Sequence, residues 1–281
     1  MQNLQGVDFF QLNHAFWIAE RKVNVPLYDF QFSPLFHITR PRTDTLKAII
    51  ARLGAIDLYD QVYEDLKAIG FRLINSPQEH DLASELAHWY PQIQAFTPRS
   101  MIFEQVPTAD QILEHFELPV FIKGNRQTAK HNPRLAIATN RAELEFILKS
   151  YQQNTILHWQ KLVCREFIPL QKLDYQTQNT VPVSFEFRTF WWRETLVGAG
   201  PYWSHLVDYN WTSAQQREAL QIASQAAQRL KIPFLVIDVA LTAQGKWIII
   251  ECNDGQESGY AGIDAAKLWR NILTIEKQQT T

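Results

Sequence analysis

Two acids and an amide in the C-terminal third are spaced for metal chemistry. Phe234–Leu241 and residues 246–252 are short, apolar, β-branched runs. Gln244-Gly245 lies between them, and glycine accepts the positive φ of a tight hairpin turn. A two-residue turn there sets Asp238 directly across from Glu251. Opposed side chains on one face of an antiparallel pair stand about 4.5–5.5 Å apart at Cβ. Asn253 projects to the face of Glu251, and Cys252 to the other. Like charges opposed across a ladder destabilise it, and a divalent cation reverses that sign. Two carboxylates and an amide oxygen are hard ligands that suit Mg²⁺ or Mn²⁺. The plainer alternative is a pair of acids facing solvent on an edge hairpin.

Cations elsewhere suit the phosphates that such an ion accompanies. Residues 118–123, LPVFIK, read as a strand ending on Lys123. The loop 124–133 is polar and carries Arg126, Lys130 and His131. A lysine at a strand end beneath loop donors can grip a phosphate. The phosphate loop G-x-x-x-x-G-K-[ST] is absent. Arg188 projects from the aromatic run 183–192, VSFEFRTFWW, on the face of Glu186 and Phe190. An arginine there is costly unless partnered. Its planar fork suits a phosphate or carboxylate, and an ion pair with Glu186 or another acid is the alternative.

The elements that must position these residues read as an α/β chain. Asp44 can cap a helix from about Thr45, with Leu46, Ile49, Ile50 and Leu53 at helical spacing. A helix over 58–69 ends at Gly70, a strand covers 71–74, and a helix over 78–89 stops at Pro91. Short helices at 110–116 and 141–149 flank the lysine strand. Residues 162–168, LVCREFI, form a strand closed by Pro169. A helix over 211–230 starts on a Ser213/Gln216 capping box and ends before Pro233. A terminal helix covers 264–276. Residues 1–40 are aromatic and loop-rich, with a short strand at 36–39 and a small basic loop at 39–42.

In this order the parts resemble the ATP-grasp family. VID(238)VA followed by IIIE(251)CN(253) is similar to its metal-binding end, where an Asp and a Glu-x-Asn hold the magnesium ions of ATP. The resemblance covers about Pro119 to Ile272. It implies an ATP-grasp fold of α/β (α+β) class, with nucleotide held between two antiparallel-sheet subdomains and a small N-terminal α/β subdomain. The implied divisions are 1–105, 106–170 for the small lid subdomain, and 171–281 with the metal site. Lys123 and Lys130 become nucleotide contacts, with 124–133 as a mobile cover. Glu166-Phe167-Ile168 resembles the connector that contacts adenine, and Asp174 becomes a ribose contact. Arg188 reaches the reacting phosphate and is catalytic together with Lys123. The implied reaction is a carboxylate–amine ligation through an acyl phosphate, releasing ADP and phosphate. A kinase or a non-catalytic ATP-binding regulatory module is the alternative.

Composition excludes several classes. The chain has 281 residues, a net charge of −2, an apolar share of 46% and a charged share of 20%. No global basic field invites nucleic acid or a membrane surface. No apolar run approaches a membrane span, and the first residues lack the pattern of a signal peptide. Cys164 and Cys252 lie in apolar strands and read as buried thiols of a reducing cytoplasm; neither is placed as a nucleophile. The expected partners are ATP and small-molecule or peptide carboxylates and amines, with homodimerisation left open.

Overall fold

The computed structural model describes residues 17–18, 46–52, 58–68, 70–126, 135–155, 157–175 and 182–279. Lys130, most of the expected cover 124–133, the expected strand at 36–39 and the basic loop at 39–42 lie outside them. Strand β1 (Trp17–Ile18) pairs in parallel with β2 (Lys47–Ala51), where the spacing reads as a helix. Ile49 packs with Tyr59 and Phe71, whereas Ile50 packs with Phe190 and Trp269 on the other side. A run buried on both faces and stiff at Cβ suits a central strand, and this overrides the helical spacing.

Helix α1 (Tyr59–Ala68) ends before Gly70, whose φ is 92°, and β3 (Phe71–Leu73) adds to β2 in parallel. Helix α2 (Pro77–Ser84) opens on a capping box between Ser76 and Glu79. The expected single helix breaks at Glu85, and α3 (Leu86–Ile93) follows with Pro91 inside it. Asn125 makes the break: its carbonyl accepts from Leu86 N–H at 3.0 Å and its side-chain oxygen from Ala87 N–H at 2.8 Å. Those are first-turn donors that no helical bond satisfies.

Next come β4 (Ser100–Phe103), α4 (Ala109–Leu113), β5 (Val120–Gly124), β6 (Ile137–Ala138), α5 (Arg141–Tyr151) and β7 (Leu162–Glu166). They make an antiparallel sheet in the order β4-β7-β5-β6, backed by α4 and α5. Strand β4 precedes the expected boundary at 105/106 yet pairs with β7, so this sheet begins before that boundary.

The second antiparallel sheet has the order β11-β10-β8-β9. Strand β8 (Glu186–Trp192) turns into β9 (Thr195–Pro201) through Arg193 and Glu194, at φ 44° and 65°. Helix α6 (Ser213–Leu230) is capped by Thr212 and Gln215, one residue before the expected pair, because Thr212 is extended and already outside the helix. Strands β10 (Phe234–Leu241) and β11 (Trp247–Asp254) follow, then α7 (Ala265–Gln279). Ala219, Ala223 and Ala227 of α6 pack on Ile237, Val239 and Ile249. On the other face, Trp269 of α7 covers Phe190 and Phe234. The rest of that face looks toward the small sheet across a cleft.

The hairpin β10–β11 corrects one expectation and preserves its result. The turn is not two residues long. Thr242 N–H donates to Lys246 C=O at 2.8 Å, and Gly245, at φ 79°, donates to Thr242 C=O at 2.9 Å. The extra loop residue slips the register, so that Val239 pairs with Ile249. A bulge at Ile250 then restores it, and Asp238 pairs with Glu251. The bulge also sets facing. Trp247 and Ile249 point into the α6 core, and beyond it Cys252 takes that side. Glu251 and Asn253 are thereby turned to the cleft side.

Candidate functional site

Alternation along four strands brings the site together. Glu186 and Arg188 on β8, Asp238 on β10, and Ile248, Ile250 and Glu251 on β11 face the small sheet. Phe121 and Lys123 on β5 face back. Between the sheets lies a cavity of about 310 Å³, walled by apolar groups such as Phe121, Ile137, Ile248 and Ile250. The connector Glu166-Phe167-Ile168 lines it, as expected. Lys172 lines it too, whereas Asp174 is exposed and does not. A polar loop tip leans to solvent, and only its root reaches the cleft. Glu186 lines the cavity, with its Oε2 accepting from Trp203 Nε1 at 3.2 Å.

One step further along the same strands the cleft becomes charged. Arg188 Nε and Nη2 donate to Asp238 Oδ1 and Oδ2 at 2.8 and 2.7 Å. Its Nη1 donates to Gly259 C=O at 2.9 Å. The ion pair weighed for Arg188 therefore forms, with Asp238 and not with Glu186. Burial alone would lower the Arg188 guanidinium, but the charge and hydrogen bonds of Asp238 outweigh it and raise its pKa. Lys123 Nζ donates to Glu251 Oε1 at 2.6 Å, with 3% and 12% of the two side chains exposed. Arg188, Asp238 and Glu251 stand in register on three adjacent strands. With Lys123 the row reads plus, minus, minus, plus. The repulsion between the opposed acids is thus balanced by two cations, one from each sheet.

Sequence reasoning missed Arg165. It crosses from β7 to β11, where its Nη1 donates to Ile250 C=O at 2.8 Å and its Nε to Ser100 Oγ at 3.1 Å. Its Nη2 donates to Thr97 Oγ1. Burial depresses its pKa to about 10. A charge in the centre of an apolar strand was its only signal. Trp203 carried none.

The donors suit a hard cation by type. A carboxylate offers roughly four acceptor sites, and Arg188 takes two of those on Asp238. Among the described residues no three His, Cys, Asp or Glu side chains converge as a metal site. Asp238 and Glu251 therefore need Asn253 or a ligand oxygen to complete one.

Residues 86–272 match a family model described as an ATP-grasp domain, the third family of its clade. The chain belongs to that family. No curated protein sequence matches this ATP-grasp chain. Among solved structures it is similar to a RimK domain protein ATP-grasp from Sphaerobacter thermophilus DSM 20745, at 14% identity and TM-score 0.55, over 82% of this chain and 81% of that one. It is also similar to a D-alanine–D-alanine ligase from Bacillus anthracis, complexed with ATP, at 12% identity and TM-score 0.57, over 83% and 78%. The VanG D-Ala:D-Ser ligase from Enterococcus faecalis shares 12% identity and TM-score 0.58, over 82% and 72%. At such identities these likenesses show the ATP-grasp fold. Among the described residues no helix is long and apolar enough to cross a membrane.

Proposed function

We propose that the chain is an ATP-dependent carboxylate–amine ligase that works through an acyl phosphate and releases ADP and phosphate. The observation that carries this reading is the passage, along the same strands, from an apolar cavity to a row of four charges. The cavity suits a flat base, with Glu166 and the backbone of Phe167 and Ile168 as its hydrogen-bonding edge. The charged row then falls where a triphosphate would lie. Asp238, Glu251 and Asn253 would hold Mg²⁺ or Mn²⁺, which would neutralise the phosphates and make the terminal one a better electrophile.

The residues of the chain act by exchange of partners. When anionic phosphates enter, Lys123 can turn from Glu251 to them, and Glu251 is released as a ligand. Arg188 keeps its fork on Asp238 or shares it with the transferring group, whose charge it stabilises. No side chain need become a covalent nucleophile. Lys130 is proposed as a further phosphate contact.

The test is ADP release from Mg·ATP with pooled amino acids, short peptides and polyamines. The expected outcome is release that depends on both a carboxylate and an amine. Release on one acceptor with a stable phosphoester would replace this reading with a kinase, and no release in any pool would end it.

A further inference from the structure

Just beyond Lys123 and Glu251 the same two segments meet again. Arg126 Nη2 lies 3.7 Å from Glu257 Oε2, with 17% and 10% of the two side chains exposed. The cleft thus runs from the apolar cavity to the Lys123–Glu251 contact and then to this looser pair. Arg126 is aimed by a chain of fixed groups. His80 Nδ1 lies 3.0 Å from Asp254 Oδ2. A carboxylate only accepts, so Nδ1 carries the proton and Nε2, 2.5 Å from Arg126 Nη2, accepts from the guanidinium. The His80 ring stacks on Tyr59, with centroids 3.8 Å apart and planes 6° apart. Asp254 is fully buried and accepts from Asn75 Nδ2 and from Gln256 N–H, both at 2.8 Å.

A buried polar network is stable only when its members are satisfied, and it then fixes one geometry. Here the most exposed members are Arg126 and Glu257. A simple amine there would leave the guanidinium unmatched, and a simple carboxylate would meet Glu257 as a like charge. A ligand with opposite charges on neighbouring atoms matches both.

We propose that Arg126 and Glu257 form a subsite for a free α-amino acid, the guanidinium taking its carboxylate and Glu257 its ammonium. Its role as the acceptor rests on the ligase reading, because the subsite lies past the end of the cleft assigned to the phosphates. His80 and Asp254 are positioning residues that act through Arg126.

The experiment reads binding apart from turnover. The full chain is melted with Mg²⁺ and a non-hydrolysable ATP analogue, alone and with each common amino acid or its decarboxylated amine. The expected result is that at least one amino acid raises the melting temperature and its decarboxylated amine does so less. Arg126→Gln and Glu257→Gln should each raise the half-saturating concentration about tenfold or more, as loss of a charge-assisted contact does. The shift caused by the analogue alone shows that each variant is folded, and Arg126→Lys, which loses the fork, replaces Arg126→Gln if it is not. No shift with any amino acid, an equal shift with the amines, or unchanged half-saturation in either variant overturns the subsite. ADP release tests the ligase reading separately, so each can fail without the other.

Discussion

Asp238 has two jobs that a single substitution cannot separate. It is a candidate metal ligand, and it is the counterion of Arg188 in a buried pair. Removing one partner of such a pair leaves an uncompensated charge and costs about 3–5 kcal/mol. Asp238→Ala is therefore expected to lose stability of that order in urea unfolding without any nucleotide. Arg188→Lys keeps the charge but cannot span both Asp238 oxygens and Gly259. Steady-state kinetics should show it in kcat more than in KM. The thiols offer a control. Burial pushes the Cys164 pKa up to about 12 and raises that of Cys252 well above its usual value. Neither should react with a thiol reagent at neutral pH until the chain unfolds, and native labelling of either would contradict this. Charged residues inside apolar runs made Lys123, Arg188, Asp238 and Glu251 legible in the sequence. Their pairing across two sheets was not legible, since Lys123 and Glu251 meet only when the cleft closes.

At the scale of elements, the β10–β11 hairpin shows how a correct contact can rest on a wrong turn. Nothing in the run IIIE marks a bulge, so the slipped loop and the compensating Ile250 were invisible while their sum was right. The helical spacing before Leu53 failed for a related reason: a short apolar run buried on both faces carries no period to read. Two glycines test these local geometries. A Cβ at Gly245 would meet nothing within 4 Å, but φ there is positive. Gly245→Ala is thus expected to cost only about 1 kcal/mol, from backbone strain. A Cβ at Gly255 would stand 2.6 Å from the Phe234 ring, which is fully buried. Gly255→Ala should be several-fold more damaging in the same denaturation assay, because overpacking a tight core forces backbone shifts. Equal losses would mean that the loop after β11 relaxes freely.

Across the whole molecule, the N-terminal segment is sewn into the large sheet. Arg52, itself buried, donates to the carbonyls of Gly255 and Gln256 and, at 2.7 Å, to that of Ser258. Asn75 donates to Phe234 C=O and accepts from Phe234 N–H, both at 2.9 Å. Little of this was legible, because Arg52 and Asn75 read as ordinary polar residues near a turn. Asn75→Ala leaves Phe234 N–H and one Asp254 oxygen short of a partner, and each such loss costs about 1–3 kcal/mol. Unfolding in urea should show one transition at lower denaturant; two separate transitions would mean that the segment is an independent domain. The family match begins at residue 86, yet a gene cut there would discard Arg52, Asn75 and His80 and strand the Asp254 carboxylate in an apolar hole. Swapping front halves between relatives is constrained in the same way. A graft that moves residues 46–85 into another ATP-grasp scaffold has to bring along Asp254 and the 255–258 strap, or supply substitutes for both, before its new specificity can be assayed.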